Sequence, residues 1–176
     1  MSLQSKGKLL DGEKPATPEA LFQMLSELEL HHETIRHPAV FTVAEAQADR
    51  FGTTGGFTKN LFLRSKKGRM WLVVCDENRR LDLKAVARNL ETGRLSFGSP
   101  GRLMQYLGVA PGAVTPFAAI NDRQGCVQLV MDRSLLQLSE LNFHPLDNTM
   151  TTRIATRDLL RFLEHANHAP QFIDLE

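Results

Sequence analysis

Two runs with the residue usage of β-strands, 58–64 and 69–76, are separated only by Ser65-Lys66-Lys67-Gly68. This spacing restricts the fold more than any other feature of the chain. A connection of four residues is far too short for the crossover that a parallel pair requires, so the two runs must form an antiparallel hairpin. Residues 117–121 and 127–131 read as a second pair of strands, and 141–144 and 149–154 as a third, each around a short connection. Strands and helices are therefore intermixed without regular alternation. The expected class is α+β, with a mixed, largely antiparallel sheet flanked by helices, rather than a doubly wound parallel fold.

The helices announce themselves by their ends. Thr17 suits an N-cap, Pro18 the first helical position and Glu19 the positive end of the helix dipole. Leu21, Leu25 and Leu28 follow at helical spacing, and His31 and His32 read as the close of this helix. Residues 33–36 suggest a short strand, 43–50 a short helix capped by Thr42, and 52–56 a loop. Leu83, Val86, Ala87 and Leu90 mark another helix. Ser99, followed by Pro100, caps the next one, which carries Leu103, Met104 and Leu107. A Gly- and Pro-rich loop spans 108–116, and the last helix starts at Thr156 with Leu159, Leu160 and Leu163. We expect a flexible segment over 1–17, a single domain over 18–170 and a C-terminal tail over 171–176.

The 176 residues suffice for one hydrophobic core. The longest apolar runs are too short to span a bilayer, and the polar, basic opening lacks the apolar centre of a secretory leader, so a cytoplasmic location is expected. A net charge of +1 exerts no general pull on nucleic acid, so any RNA contact must be local. Cys75 and Cys126 both lie in apolar, strand-like settings and read as reduced core thiols, with a disulfide left open.

Several chemistries lack their signatures. Residues 52–59 contain no Gly-Lys-Ser/Thr ending for a phosphate loop, and 97–101 do not form Gly-x-Ser-x-Gly. His165 and His168 are spaced to touch one metal, but no third ligand lies nearby, and a solvated helix terminus is the expectation. Basic residues cluster at Arg64, Lys66, Lys67 and Arg69, and at Arg79, Arg80, Lys84 and Arg88; a solvated surface and contact with RNA phosphates are both open.

Three segments go further. Thr58-Lys59-Asn60-Leu61-Phe62-Leu63-Arg64, then 108–117 with its Gly112-Ala113-Val114-Thr115-Pro116 core, then Asn142-Phe143-His144-Pro145-Leu146-Asp147-Asn148-Thr149 follow one another at a telling spacing. In order and spacing they resemble the YbaK/prolyl-tRNA-synthetase-associated editing domain family, and within it the freestanding ProX (PrdX) type of Ala-tRNA(Pro) deacylase. Residues 36–43 and 151–170 resemble the family's early and closing segments.

The resemblance implies a trans-editing hydrolase that removes wrongly attached alanine from proline tRNA, without metal or cofactor. It implies catalytic roles for Lys59, Asn60 and His144, and substrate binding by Gly112, Ala113, Val114, Thr115 and Pro116. Lys59 would contact a phosphate or the carbonyl side of the terminal adenosine. Asn60 would orient water or the substrate's amino group, and His144 would hold the adenosine or assist the water. Backbone N–H groups of 112–115 would stabilise the oxyanion, with Gly112 permitting close approach and Pro116 stiffening the exit. The implied partners are the acceptor end of mischarged proline tRNA and prolyl-tRNA synthetase or an elongation factor, with the protein a monomer and no membrane involved. A deacylase for Cys-tRNA(Pro) or another small aminoacyl-tRNA, and a noncatalytic binder of tRNA ends, stand as alternatives. Neighbouring strand residues point to opposite faces, so for Lys59 and Asn60 to share a pocket a bulge or strand end is expected there.

Overall fold

The computed structural model describes residues 7–48, 50 and 52–175. Its centre is the expected hairpin. Strand β2 (Gly56–Ser65) pairs antiparallel with β3 (Met70–Asp76), and Gly68 takes the left-handed conformation (φ 81°) that the turn needs. The sheet extends on both sides, in the order β1 (His32–Arg36), β7 (Met150–Ala155), β6 (Glu140–Phe143), β2, β3, β5 (Val127–Asp132), β8 (Gln171–Ile173), while β4 (Leu95–Phe97) pairs with β2. The pairs β2–β6, β3–β5 and β5–β8 are parallel and the others antiparallel, so the sheet is mixed.

Strand alternation builds the two sides. Met70, Leu72 and Val74 face one layer, where α1 (Pro18–Glu27), α4 (Pro100–Leu107) and α5 (Thr156–His165) contribute Leu21, Leu25, Leu103, Leu107, Leu159 and Phe162. Trp71, Val73 and Cys75 face the other, covered by α3 (Leu83–Asn89) through Val86 and Ala87. The helix starts follow the capping chemistry. Thr17 Oγ1 accepts from Ala20 N–H at 3.2 Å and Ser99 Oγ accepts from Arg102 N–H at 3.2 Å. In α2 (Val43–Ala48), Thr42 Oγ1 accepts from Glu45 N–H while the Glu45 carboxylate accepts from Thr42 N–H, a reciprocal capping box.

Some expectations are corrected. Helix α1 stops at Glu27, because Glu29 turns left-handed (φ 55°) and Leu30 N–H returns to the Leu25 carbonyl; His32 belongs to β1 instead. Residues 117–121 are not a strand but part of a 3₁₀ helix, Pro116–Asn121. Pro116 starts it, Thr115 Oγ1 accepts from Phe117 N–H, and burial of every residue but Ile120 erases the periodicity that would have revealed it. The 171–176 tail contributes β8, and Ile173 and Leu175 are buried. In the N-terminal segment, residues 1–6 lie outside the described residues, but Leu9 is buried and Ala16 N–H donates to Asn121 Oδ1 at 2.9 Å. Cys75 and Cys126 are both free thiols. Cys75 is buried as expected, and burial pushes its thiol up to about 12, whereas Cys126 is exposed.

Candidate active site

The site forms where β2 is partly unpaired. Strand β2 pairs with β6 at Gly56–Leu141 and Phe57–Asn142, then the two diverge; pairing of β2 with β4 begins at Leu63–Phe97 and runs to Ser65–Leu95. Between these points one edge of β2 borders a cavity of about 200 Å³. Its wall includes Ile35, His37 and Phe41 from the β1–α2 segment, Thr58, Lys59 and Asn60 from β2, Gly112 and Val114 from the Gly/Pro loop, and Asn142 and His144.

This placement corrects the expected bulge. The β2–β3 register runs without interruption from Thr58–Asp76 to Arg64–Met70. Lys59 and Asn60 do point to opposite faces, but both border the cavity because it adjoins the strand's edge rather than one face. Backbone directions agree. The Phe57 carbonyl and Ser65 N–H bond toward β3, at 3.1 and 3.0 Å, whereas the Phe62 carbonyl accepts from Gly98 N–H on the opposite edge at 2.9 Å. Alternation therefore directs the N–H and C=O of Asn60 to the open edge.

The cationic groups are anchored. Lys59 Nζ donates to the Arg79 carbonyl. Arg50 is ion-paired with the buried Glu77, and its guanidinium lies 4.1 Å from the centroid of the Phe57 ring. Arg79, from one of the basic clusters, is held by Asp132 (2.7 Å) and the Leu175 carbonyl. Lys66, Lys67, Arg80, Lys84 and Arg88 are exposed.

His144 sits just past the end of β6, and its Nδ1 donates to the Met150 carbonyl at 2.7 Å. That bond selects the tautomer with an unprotonated Nε2. Burial, with the charge of nearby His37, lowers the His144 pKa; the Met150 bond and Asp147 oppose this without overcoming it. The two rings are tilted with centroids 6.0 Å apart. His37 bonds Pro38 O and Thr151 Oγ1, each at 2.8 Å.

Of the five loop residues expected to bind substrate, the structure brings two to the cavity. Gly112 and Val114 face it, while Ala113, Thr115 and Pro116 are buried in the layer beneath. Ala113 N–H is already used by the Ala110 carbonyl at 3.1 Å. Among the described residues the N–H groups of Gly112 and Val114 have no protein acceptor. Gly112 is left-handed (φ 89°), and a Cβ there would stand 3.3 Å from Phe41 Cδ1.

Phe41, Arg50, Glu77 and Asn142 carried no separate expectation. Phe41 is 59% exposed at the cavity mouth, an unusual state for a large aromatic ring. Its N–H is held by Glu45 at 2.8 Å. Asn142 was visible only as the residue before Phe143-His144-Pro145. His165 is exposed, but His168 is buried against Asp122, which corrects the solvated helix terminus for that residue. Among the described residues no group of three His, Cys, Asp or Glu side chains is placed to hold a metal, and no helix is long and apolar enough to cross a membrane.

A mixed sheet with a small cleft at a strand edge, a histidine of lowered pKa and backbone donors without protein acceptors can support acyl-transfer chemistry. The chain belongs to the aminoacyl-tRNA editing domain family, which matches residues 37–162. It is similar to the prolyl-tRNA editing protein ProX of Acetoanaerobium sticklandii, at 34% identity across 89% of this chain and 96% of that one. The prolyl-tRNA synthetase associated domain-containing protein 1 of Danio rerio is 36% identical across 89% of this chain and 86% of its own. In fold it resembles a crystal structure described as a candidate trans-editing enzyme for prolyl tRNA synthetase, with a TM-score of 0.68 and 23% identity, covering 92% of this chain and 98% of that one.

Proposed function

We propose that this protein is a freestanding editing enzyme that hydrolyses the ester of alanine wrongly attached to proline tRNA. The observation that carries the reading is His144, half-buried, with a lowered pKa and Nε2 unprotonated, in the same cavity as the unengaged N–H groups of Gly112 and Val114. The wall supplies a base and electrostatic donors for a tetrahedral intermediate.

In this mechanism a water oxygen attacks the ester carbonyl carbon while His144 Nε2 takes the water's proton. The carbonyl oxygen gathers negative charge, which the Gly112 and Val114 N–H groups stabilise. The carbon–oxygen bond to the ribose then breaks, and the leaving oxygen takes the proton from His144. The products are free alanine and tRNA with its terminal hydroxyl restored. Lys59 supplies positive charge beside the terminal adenosine. Phe41 offers an exposed face on which the adenine stacks, as unpaired bases do on aromatic side chains.

A synthetase pocket built for proline cannot reject the smaller alanine by more than about 1–3 kcal/mol per missing methylene. A second pocket works in the opposite sense. The sieve is local rather than a matter of total volume: the apolar side chains of Ile35, Phe57 and Val114 in the wall are where a methyl-sized subsite would exclude the pyrrolidine ring. The enzyme acts as a cytoplasmic monomer on the acceptor end, taking its substrate after release from the synthetase or from an elongation factor.

The test is to mix purified protein separately with Ala-, Cys-, Ser- and Pro-charged proline tRNA and follow ester loss. Rapid loss of alanine alone is the expected result. Preferential loss of cysteine would move the protein to a different editing specificity, and binding without hydrolysis would make it a tRNA-end binder.

A further inference from the structure

Three residues from three segments of the chain, Arg50, Phe57 and Glu77, close around one part of the cavity wall. Phe57 is fixed along its backbone. It stands opposite Asn142 in the last β2–β6 pair, and its carbonyl accepts from Glu77 N–H at 3.1 Å. Only its side-chain torsions remain to be set. The Arg50 guanidinium lies over the Phe57 ring, 4.1 Å from its centroid, and is ion-paired with the Glu77 carboxylate. Glu77 therefore holds Phe57 twice, at the backbone through its own N–H and at the ring through Arg50. The Glu77 side chain is 6% exposed and that of Arg50 38%, so the carboxylate is committed to the wall while the guanidinium covers it from the solvent side. Gln47 Nε2 donates to Asn78 Oδ1 at 3.0 Å, a second tie between the segment carrying Arg50 and the turn after β3. A guanidinium can pair with a carboxylate in its plane and stack on an aromatic face at the same time, which an ammonium cannot do.

We propose that the Glu77–Arg50 pair is a specificity-determining clamp: by pinning the Phe57 ring it sets how sharply the site refuses an amino-acid side chain larger than methyl. This rests on the deacylase reading above. A steric sieve is only as steep as its walls are stiff. An aromatic ring with two free torsions can tilt away from an oversized group, and the clash is then relieved instead of being felt as overpacking. With Arg50 over one face, the Phe57 ring cannot tilt toward that side. With its backbone bonded to β6 and to Glu77, the residue cannot retreat as a whole either. Arg50 acts here through Phe57 and is a positioning residue, since it need touch no reacting atom.

The experiment compares alanyl-tRNA(Pro) with 2-aminobutyryl-tRNA(Pro), which adds one methylene to the side chain and keeps the same tRNA. Each kcat/KM is divided by the spontaneous hydrolysis rate of the same ester. The wild type should favour the alanyl ester by about 10–200-fold, the value of one methylene against a fixed pocket. Arg50→Lys, which keeps the charge and loses the plane, should cut that preference by about threefold to tenfold. The double variant Arg50→Met with Glu77→Gln leaves no buried charge unpaired; it should cut the preference likewise and guards against a folding defect in the single variant. In a Phe57→Leu background Arg50→Lys should change the ratio no further, because the ring through which it acts is gone. A role confined to stability would not produce that coupling. Equal losses on the two esters would overturn the proposal and assign Arg50 to a phosphate of the tRNA that both share. It also fails if the ratio is preserved in both Arg50 variants, or if the effect of Arg50→Lys on the ratio persists undiminished without the Phe57 ring. Failure of the wild type to hydrolyse alanyl-tRNA(Pro) at all would refute the underlying enzyme reading and is separately visible.

Discussion

His144 donates through Nδ1 to the carbonyl of Met150 at 2.7 Å, so its remaining ring nitrogen is a lone-pair acceptor. Burial, aided by His37, holds its pKa below the ordinary 6.5. The neutral, active form is therefore complete above that ordinary value and is lost as pH falls through the lowered one. kcat/KM should be level near neutrality and decline on an acidic limb whose midpoint lies below 6.5. His144→Ala should cost about 10²–10⁴-fold and abolish the limb. A single-turnover pH–rate profile of both proteins checks this, and an unchanged limb in the variant would remove His144 from the base role.

Lys59 reaches across from β2 to the Arg79 carbonyl, which holds its charge at one place on the cavity wall. A charge held in advance stabilises a developing anion or a bound phosphate without reorganisation. Lys59→Ala should lower kcat/KM by about a hundredfold or more. Dialysis against a chelator should leave the wild-type rate unchanged, since the proposed chemistry uses no metal. A chelator-sensitive rate that recovers with added divalent ion would contradict the mechanism.

Gly112 combines a left-handed backbone with near contact to Phe41 and Asn148. A Cβ would stand 3.3 Å from Phe41 Cδ1 and 3.4 Å from Asn148 Nδ2, while the backbone strain alone costs about 1–2 kcal/mol. Gly112→Ala should relieve both by shifting the loop, moving the Gly112 and Val114 N–H groups off the carbonyl oxygen. The expected signature is a fall in kcat of about tenfold or more with a smaller change in KM, because the donors act mainly on the transition state. A variant altered only in KM would separate this loop from the oxyanion.

Local chemistry was readable along the chain. Ser65 to Gly68 prescribes the hairpin, and Thr17, Thr42 and Ser99 mark helix starts whose capping bonds the structure contains. The site was only half readable. The motif residues Lys59, Asn60, Gly112, Val114 and His144 do converge on one cavity, but the inferred bulge was unnecessary. That inference assumed a pocket lying on one face of a sheet. Whether a strand has an open edge depends on where a neighbour 84 residues away diverges, and no local pattern encodes it. The three-residue strands β4 and β8 are likewise too short to carry a period, and the 3₁₀ helix buries every residue but Ile120. Asn142 stood in view beside the histidine. Its side-chain bonds to the Thr54 and Gly56 carbonyls, which tie the segment entering β2 to β6, exist only in the folded chain.

His168 and Asp122, 46 positions apart, form a buried pair at 2.8 Å that ties the end of α5 to the loop before β5. The other ring nitrogen of His168 faces the Ala166 carbonyl at 2.7 Å, so both nitrogens meet acceptors and both must carry protons. Burial acts against the charge on His168, but the Asp122 bond, the Ala166 carbonyl and the Asp122 charge raise its pKa above the ordinary 6.5. Burial likewise opposes the Asp122 carboxylate, yet His168 and the N–H groups of Val127 and Cys126 lower its pKa below 3.8. For the raised histidine, the stabilisation is fully present below 6.5 and is lost as pH rises through the folded value. For the depressed aspartate, it is present above 3.8 and lost as pH falls through its folded value. The pair thus contributes most between those limits. His168→Ala, which leaves a buried carboxylate without its counter-charge, should cost about 3 kcal/mol in that window. Urea unfolding of wild type and variant near pH 5.5 and again near pH 9.5 measures the difference at both ends. The gap should narrow at the higher pH, where the wild-type histidine has also lost its proton. A gap that is independent of pH would mean that packing, rather than charge, is what His168 contributes.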